Sequence, residues 1–168
     1  MKKLSAIYRE QGQRLFHYLL RMTADYDLAR DIMQESFTRC LERYGEGIDS
    51  SALLYRIARN LVVDHARKAV HSAPLGDEPV PGPVDPLDPA GPAGPDHQFM
   101  VREQYRHVLA GLQRLGIEDR ELLSLVAAED LSYREIASIL GAKENTVKVR
   151  VHRARKRLRS ILAEGGER

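Results

Sequence analysis

Cysteine is nearly absent. Cys40 is the only thiol and has no partner for an intramolecular disulfide, and no cluster of His, Cys and carboxylates around it has metal-ligand spacing. It therefore reads as a small core residue, and neither a metal nor any other cofactor is expected. Proline is missing from both ends of the chain: all eight prolines fall between Pro74 and Pro95. Long apolar runs are missing too, since none approaches the roughly 20 residues that a membrane-spanning helix needs. After Met1-Lys2-Lys3, the residues Tyr8, Arg9, Glu10 and Gln11 interrupt any apolar signal-peptide segment, so the expected location is cytoplasmic. Catalytic constellations are absent as well. Ser5, Ser36, Ser50 and Ser51 have no strand-and-basic surroundings of the recombinase kind, and the six histidines are scattered. The sequence thus gives no catalytic residue and no small-molecule substrate, and an enzyme is not expected.

What the chain does have is an uneven distribution of charge. Residues 1–70 carry 12 Lys or Arg against 9 Asp or Glu, residues 71–98 carry none against 5, and residues 99–168 carry 14 against 10. The middle stretch also holds all the prolines with Gly76, Gly82, Gly91 and Gly94, a composition that sustains neither a helix nor a central strand. It reads as a flexible acidic linker over 71–98, its acids being Asp77, Glu78, Asp85, Asp88 and Asp96, between units at 1–70 and 99–168.

Both units have helical periodicity. Leu4, Ile7, Tyr8, Leu15, Tyr18, Leu19 and Met22 predict a helix over about 4–23, and Leu28, Ile32, Phe37, Cys40, Leu41 and Tyr44 a second after Asp25. Gly45-Glu46-Gly47 breaks the pattern, and Ser50 or Ser51 can cap a third helix lined by Leu54, Ile57, Ala58, Leu61 and His65. The second unit predicts helices over about 97–115, 118–129, 132–140 and 144–163, and no segment alternates like a strand. The fold class is all-α: two small helical domains joined by a Pro/Gly-rich linker.

The last two helices are separated by Gly141-Ala142-Lys143, the arrangement of a helix-turn-helix whose second helix enters the major groove. From Lys143 to Arg159 there are eight basic residues against the single acid Glu144. Val147, Val151, Ala154 and Leu158 step by four, three and four, so they share the buried face. Lys148, Val149, His152 and Arg153 then point to the groove as base readers, with Arg150, Arg155, Lys156 and Arg157 placed for phosphates.

The run Asp130-Leu131-Ser132-Tyr133-Arg134-Glu135-Ile136-Ala137, continued by Ile139-Leu140-Gly141 and Asn145 to Leu158, resembles region four of sigma factors in the sigma-70 family. In the first unit, Asp31-Ile32-Met33-Gln34-Glu35-Ser36-Phe37 and Leu54 to Asp64 resemble successive parts of sigma region two. Two signatures in order with a linker between them resemble the extracytoplasmic-function (ECF) group. The resemblance implies a non-enzymatic factor that binds core RNA polymerase and promoter DNA, is held by an anti-sigma factor, and melts promoters through region two.

By the same resemblance Asp31, Gln34 and Glu35, which share a polar helix face, dock on core polymerase. Tyr55, Arg56, Arg59, Asn60, Arg67 and Lys68, with the loop 44–51, take the melted minus-ten strand. That residue mixture suits phosphates and unstacked bases. Lys148, Val149, Arg150, His152, Arg153, Arg155 and Lys156 take the minus-thirty-five element. Leu53, Gly116 and Lys143 depart from the family pattern, which has an aromatic, a proline and a capping serine at the corresponding places. The competing reading is a helix-turn-helix activator or repressor acting on its own, which would account for the second unit alone.

Overall fold

Helix α1 (Leu4–Thr23) ends where the Thr23 hydroxyl donates back to the Leu19 carbonyl at 2.9 Å and Ala24 turns to φ 52°. Asp25 starts α2 (Tyr26–Tyr44): its carboxylate accepts from the Leu28 amide at 3.0 Å, satisfying one of the free N–H groups of the first turn. Gly45, at φ 67°, ends that helix. Ser50, accepting from the Ala52 amide at 3.1 Å, caps α3 (Ser51–Ser72). This is a computed structural model, and it describes residues 2–45, 47–48, 50–72, 95–128 and 130–165. Most of the segment read as a linker, 73–94, lies outside the described residues. A two-residue antiparallel pair corrects the expectation of no strand: β1 (Lys2–Lys3) lies beside β2 (Gly47–Ile48), with Lys2 opposite Ile48. Two residues are too few to leave an alternation in the sequence.

The second unit comprises α4 (Pro95–Arg114), α5 (Ile117–Val126), α6 (Tyr133–Leu140) and α7 (Glu144–Gly165). The sequence carries α5 on to Glu129, but the helix closes at Val126, followed by a turn over 127–128. At α6 the cap is reciprocal. The Ser132 hydroxyl accepts from the Glu135 amide at 3.2 Å, and the Ser132 amide donates to the Glu135 carboxylate at 2.7 Å. Ser132→Ala should therefore cost about 1 kcal/mol. Calorimetry should register this as a melting temperature lower by about 2–4 °C.

Packing follows the apolar stripes. Leu15, Tyr18 and Leu19 of α1, Ile32 of α2 and Leu54 and Tyr55 of α3 are all fully buried, and Cys40 lies in the same core as a free thiol. This cluster does not stop at the first unit: it continues into Leu122 and Leu125 of α5 and Ile136 of α6. Each such side chain contributes about 1.5–3 kcal/mol of burial. A second, smaller cluster of Leu112, Leu115, Leu123 and Ala154 holds α4, α5 and α7 together. The two units are thus packed on one another, chiefly through α1 on α5 and α3 on α6. Among the described residues no helix is long and apolar enough to cross a membrane.

Candidate nucleic-acid interface

The helix-turn-helix forms where the sequence places it. Gly141 takes φ 65° and ψ 33°, left-handed values that a side chain resists by about 1–2 kcal/mol. The Val147 amide closes the first turn of α7 on the Lys143 carbonyl at 3.0 Å. Val147, Val151 and Ala154 are buried against the rest of the unit, with Leu158 partly so. Lys148, Val149, His152, Arg153, Arg155 and Lys156 are all exposed on the remaining arc, Val149 to 50%.

Electrostatics divide this basic helix further. Arg150 pairs with Glu118 at 3.4 Å, and Arg157 with Asp119, both acids being in the first turn of α5. Arg150 and Arg157 are seven residues apart and so lie on one stripe facing α5. Both are thereby placed beside acids of the supporting helix, in pairs that are largely exposed and therefore weak. Lys148 has an i,i+4 pair with Glu144 at 3.5 Å, exposed and therefore weak. No ion pair engages Arg153, Arg155 or Lys156 among the described residues.

In the first unit Asp31 and Gln34 are exposed on α2, and Glu35 is partly exposed, bonded to Arg39 at 2.6 Å. Beside them, α1 and α2 enclose a groove of about 330 Å³ lined by Arg9, Phe16, Tyr26, Arg30 and Met33 among others. The α3 residues separate into two groups. Asn60, Arg67 and Lys68 are exposed. Asn60 and Ile57 form one wall of a cleft of about 440 Å³ whose other wall is Arg39, Glu42 and Arg43 of α2. Arg39 and Arg43 are absent from the residues read from sequence. Their signal, a basic i,i+4 pair, acquires meaning only when α2 lies against α3.

Tyr55, Arg56 and Arg59 face the second unit instead. Tyr55 is fully buried, its ring 5.3 Å from that of Tyr18 and its hydroxyl donating to Asp130 at 3.3 Å. Burial, reinforced by the Asp130 charge, pushes the Tyr55 phenol far above its ordinary pKa. Arg56 donates to the Ser138 hydroxyl at 2.8 Å, and Arg59 forms an ion pair with Glu121. The expectation of access to DNA therefore does not hold for Tyr55 in this arrangement of the units, and Arg59 is engaged by Glu121, whereas Arg56 stays exposed beside Ser138.

The same seam carries Arg21 to the Ser124 carbonyl at 2.9 Å and Gln113 to the Arg21 carbonyl at 3.0 Å. Desolvation there raises the Asp130 carboxyl above its ordinary value, against the opposing effects of its hydrogen bonds and of Arg14. Burial first, and then the Arg21 charge, lowers His17, whose ring nitrogen lies 3.4 Å from the Tyr105 hydroxyl.

Residues 7–71 match Sigma-70 region 2, and residues 105–158 match Sigma-70, region 4. Over 166 residues the chain is 30% identical to the ECF RNA polymerase sigma factor SigM of Bacillus subtilis, covering 96% of each chain. It is 29% identical over 168 residues to SigL of Mycobacterium tuberculosis, covering 97% of this chain and 90% of the relative. Among solved structures, the sigma factor RpoE from Bartonella quintana, in complex with the anti-sigma factor NepR, matches with a TM-score of 0.69 and 25% identity. That match spans 95% of this chain and 96% of the other. CnrH in complex with the cytosolic domain of CnrY has the same fold, with a TM-score of 0.65 and 20% identity over 96% and 88% of the two chains.

Proposed function

From the premise that this chain belongs to the sigma-70 family, as an ECF RNA polymerase sigma factor, we propose that its exposed surfaces divide promoter recognition between the two units. The chain directs promoter-specific transcription initiation. A free-standing helix-turn-helix regulator accounts for α6 and α7 but leaves the match over 7–71 without a role. The observation that carries the finer reading is the separation of the chain's charged surfaces: a basic arc on α7, a basic cleft between α2 and α3, and an acidic face on α2.

Each surface fits one task. Lys148, Val149, His152 and Arg153 lie on the solvent arc of a groove-entering helix and read bases of the minus-thirty-five element, Val149 by apolar contact of the kind made with a thymine methyl. Arg155 and Lys156 neutralise flanking phosphates, with Arg150 contributing from its place beside Glu118. The cleft takes an unstacked base of the minus-ten strand. Ile57 supplies an apolar contact from the α3 wall, and Asn60, Arg39 and Arg43 supply polar and charged groups for base edge and backbone. Unstacking a base in an opening duplex costs only a few kcal/mol, which binding in such a cleft offsets without ATP. Tyr55, Arg56, Arg59, Arg67 and Lys68 extend this track along α3 once the units part.

Asp31, Gln34 and Glu35 dock on core polymerase, and the neighbouring groove of Phe16, Tyr26 and Met33 supplies the apolar contact that charged residues alone lack. We assign 1–70 to core docking and the minus-ten element, and 99–168 to the minus-thirty-five element. An anti-sigma factor is the further partner, as for the Bartonella quintana protein. The factor works without chemistry of its own, in the cytoplasm where polymerase acts.

Run-off transcription with purified core polymerase on a promoter library tests the role of the whole chain: defined transcripts should appear only when the protein is added. Permanganate footprinting tests the division. Asn60→Ala with Arg43→Ala should abolish strand opening while leaving duplex binding at the upstream element. Normal opening by this variant would remove the cleft from the mechanism.

A further inference from the structure

The cationic run of α7 ends on a hydroxyl. Ser160 follows Arg153, Arg155, Lys156, Arg157 and Arg159, and of all the serines and threonines in the chain it alone has an arginine three positions before it. Its side chain is exposed, and the hydroxyl donates back to the Lys156 carbonyl at 3.2 Å. A serine back-bond of this kind is neutral to slightly unfavourable for a helix, so the fold does not account for the residue. Val149, Arg153, Lys156 and Ser160 step by four, three and four, which puts the hydroxyl on the exposed stripe assigned above to the upstream duplex.

This end of the helix is also its most accessible part. After Ser160, Ile161 and Leu162 are only partly buried, and Ala163, Glu164 and Gly165, where α7 ends, are exposed. Arg114 of α4 ties the end down through the Ile161 carbonyl at 3.4 Å and Glu164 at 3.1 Å, the latter an exposed and therefore weak pair. Helix ends with few buried contacts open locally at little cost, so the residues around Ser160 can enter an enzyme's groove. A phosphoryl group on Oγ would add a charge of about −1.5 to −2. It would lie within one turn of Lys156, which no ion pair engages among the described residues, and of Arg157, for which it would compete with Asp119.

We propose that Ser160 is a phosphorylation site for a serine kinase that selects arginine three residues before its target, and that the phosphoryl group turns off duplex binding by α7. The switch rests on the reading of the α7 arc as the duplex surface. In the transfer the Ser160 Oγ attacks the terminal phosphorus of a nucleoside triphosphate and the bond to the bridging oxygen breaks. The nucleoside diphosphate leaves, and the hydroxyl proton passes to the kinase's carboxylate base. The new dianion draws Lys156 and Arg157 to itself and repels the DNA phosphates that they would otherwise meet. Helices α2 and α3 are untouched, so core docking is retained while the upstream element is lost.

The test treats the full chain with ATP and a serine kinase of that arginine preference, then titrates duplex DNA at several salt concentrations. Mass spectrometry should place one phosphoryl group on Ser160 and none on the Ser160→Ala variant. The modified chain should bind duplex about tenfold more weakly, with a salt slope lower by about 1.8, the share of two phosphate contacts. Core polymerase affinity should not change. Ser160→Asp, with a single charge, should shift binding the same way by less, and Ser160→Ala should bind as wild type does. The same mark should appear on the chain recovered from its host. Its absence there across growth conditions, or equal modification of Ser160→Ala, would overturn the site. Lys156→Ala, measured alongside, separates the two readings. If that variant binds duplex weakly while the phosphorylated chain binds normally, the switch alone is wrong. If Lys156→Ala binds as tightly as wild type, the reading of the arc fails and takes the switch with it.

Discussion

Lysine at both Asp31 and Glu35 is expected to lower affinity for core RNA polymerase by about a hundredfold, near 2.7 kcal/mol. The effect is large because each reversal removes an attraction and sets a like charge against whatever basic group the partner presents, and truncating one member of a close interfacial charge pair alone costs about 2–5 kcal/mol. The fold should survive, since Asp31 is exposed and Glu35 partly so on a helix that buries the opposite stripe of Ala29, Ile32, Phe37 and Cys40. Circular dichroism should therefore overlay that of wild type while competition against a labelled sigma factor shows the loss. Glu35 also holds Arg39, a wall of the proposed base cleft. Glu35→Gln separates the two effects: weak core binding in this variant is the loss of a docking charge, and altered strand binding is the release of Arg39. Equal core affinity for the double lysine variant and wild type would end the assignment of this face.

Removing both Arg155 and Lys156 should weaken binding to every duplex sequence alike and lower the dependence of log affinity on log salt by about 1.8, since each phosphate contact contributes about 0.9. Replacing Arg153 or Lys148 should behave differently. Preference at one or two base pairs of the upstream element should shift by about 1–3 kcal/mol, with a smaller change in the salt slope. Arg150, beside Glu118, and Arg157, beside Asp119, should form a third group. Their ion pairs to Glu118 and Asp119 link α7 to α5 at the surface, so their loss should lower the salt slope with at most about 1 kcal/mol of lost stability. Salt titrations of each variant against several duplexes distinguish the three groups, and one common phenotype across them would refute the division.

Local and periodic features were legible in the sequence. The helices α1 to α3, the helix from about 132 to 140, the turn at Gly141, and the buried stripe Val147, Val151 and Ala154 all follow from residues within a turn or two of each other. Side-chain periodicity and turn-forming residues act over that distance, so sequence alone suffices for them. The basic arc of α7 was legible for the same reason. What no local rule contains is the partner of a side chain from the other end of the chain. Arg59 and Glu121 are 62 residues apart, and Arg56 and Ser138 are 82 apart. An arginine on a helix surface has the same sequence signature whether it faces solvent, phosphate or a buried glutamate. Only the packing of α3 on α6 and of α1 on α5 decided that Tyr55 is buried and Arg59 paired with Glu121 while Asn60 opens into a cleft with Arg39 and Arg43. Sequence thus determined which surfaces carry charge and which stripes are apolar. The tertiary structure decided which charges meet one another, because Coulomb and hydrogen-bond energies depend on distances that only the folded chain sets.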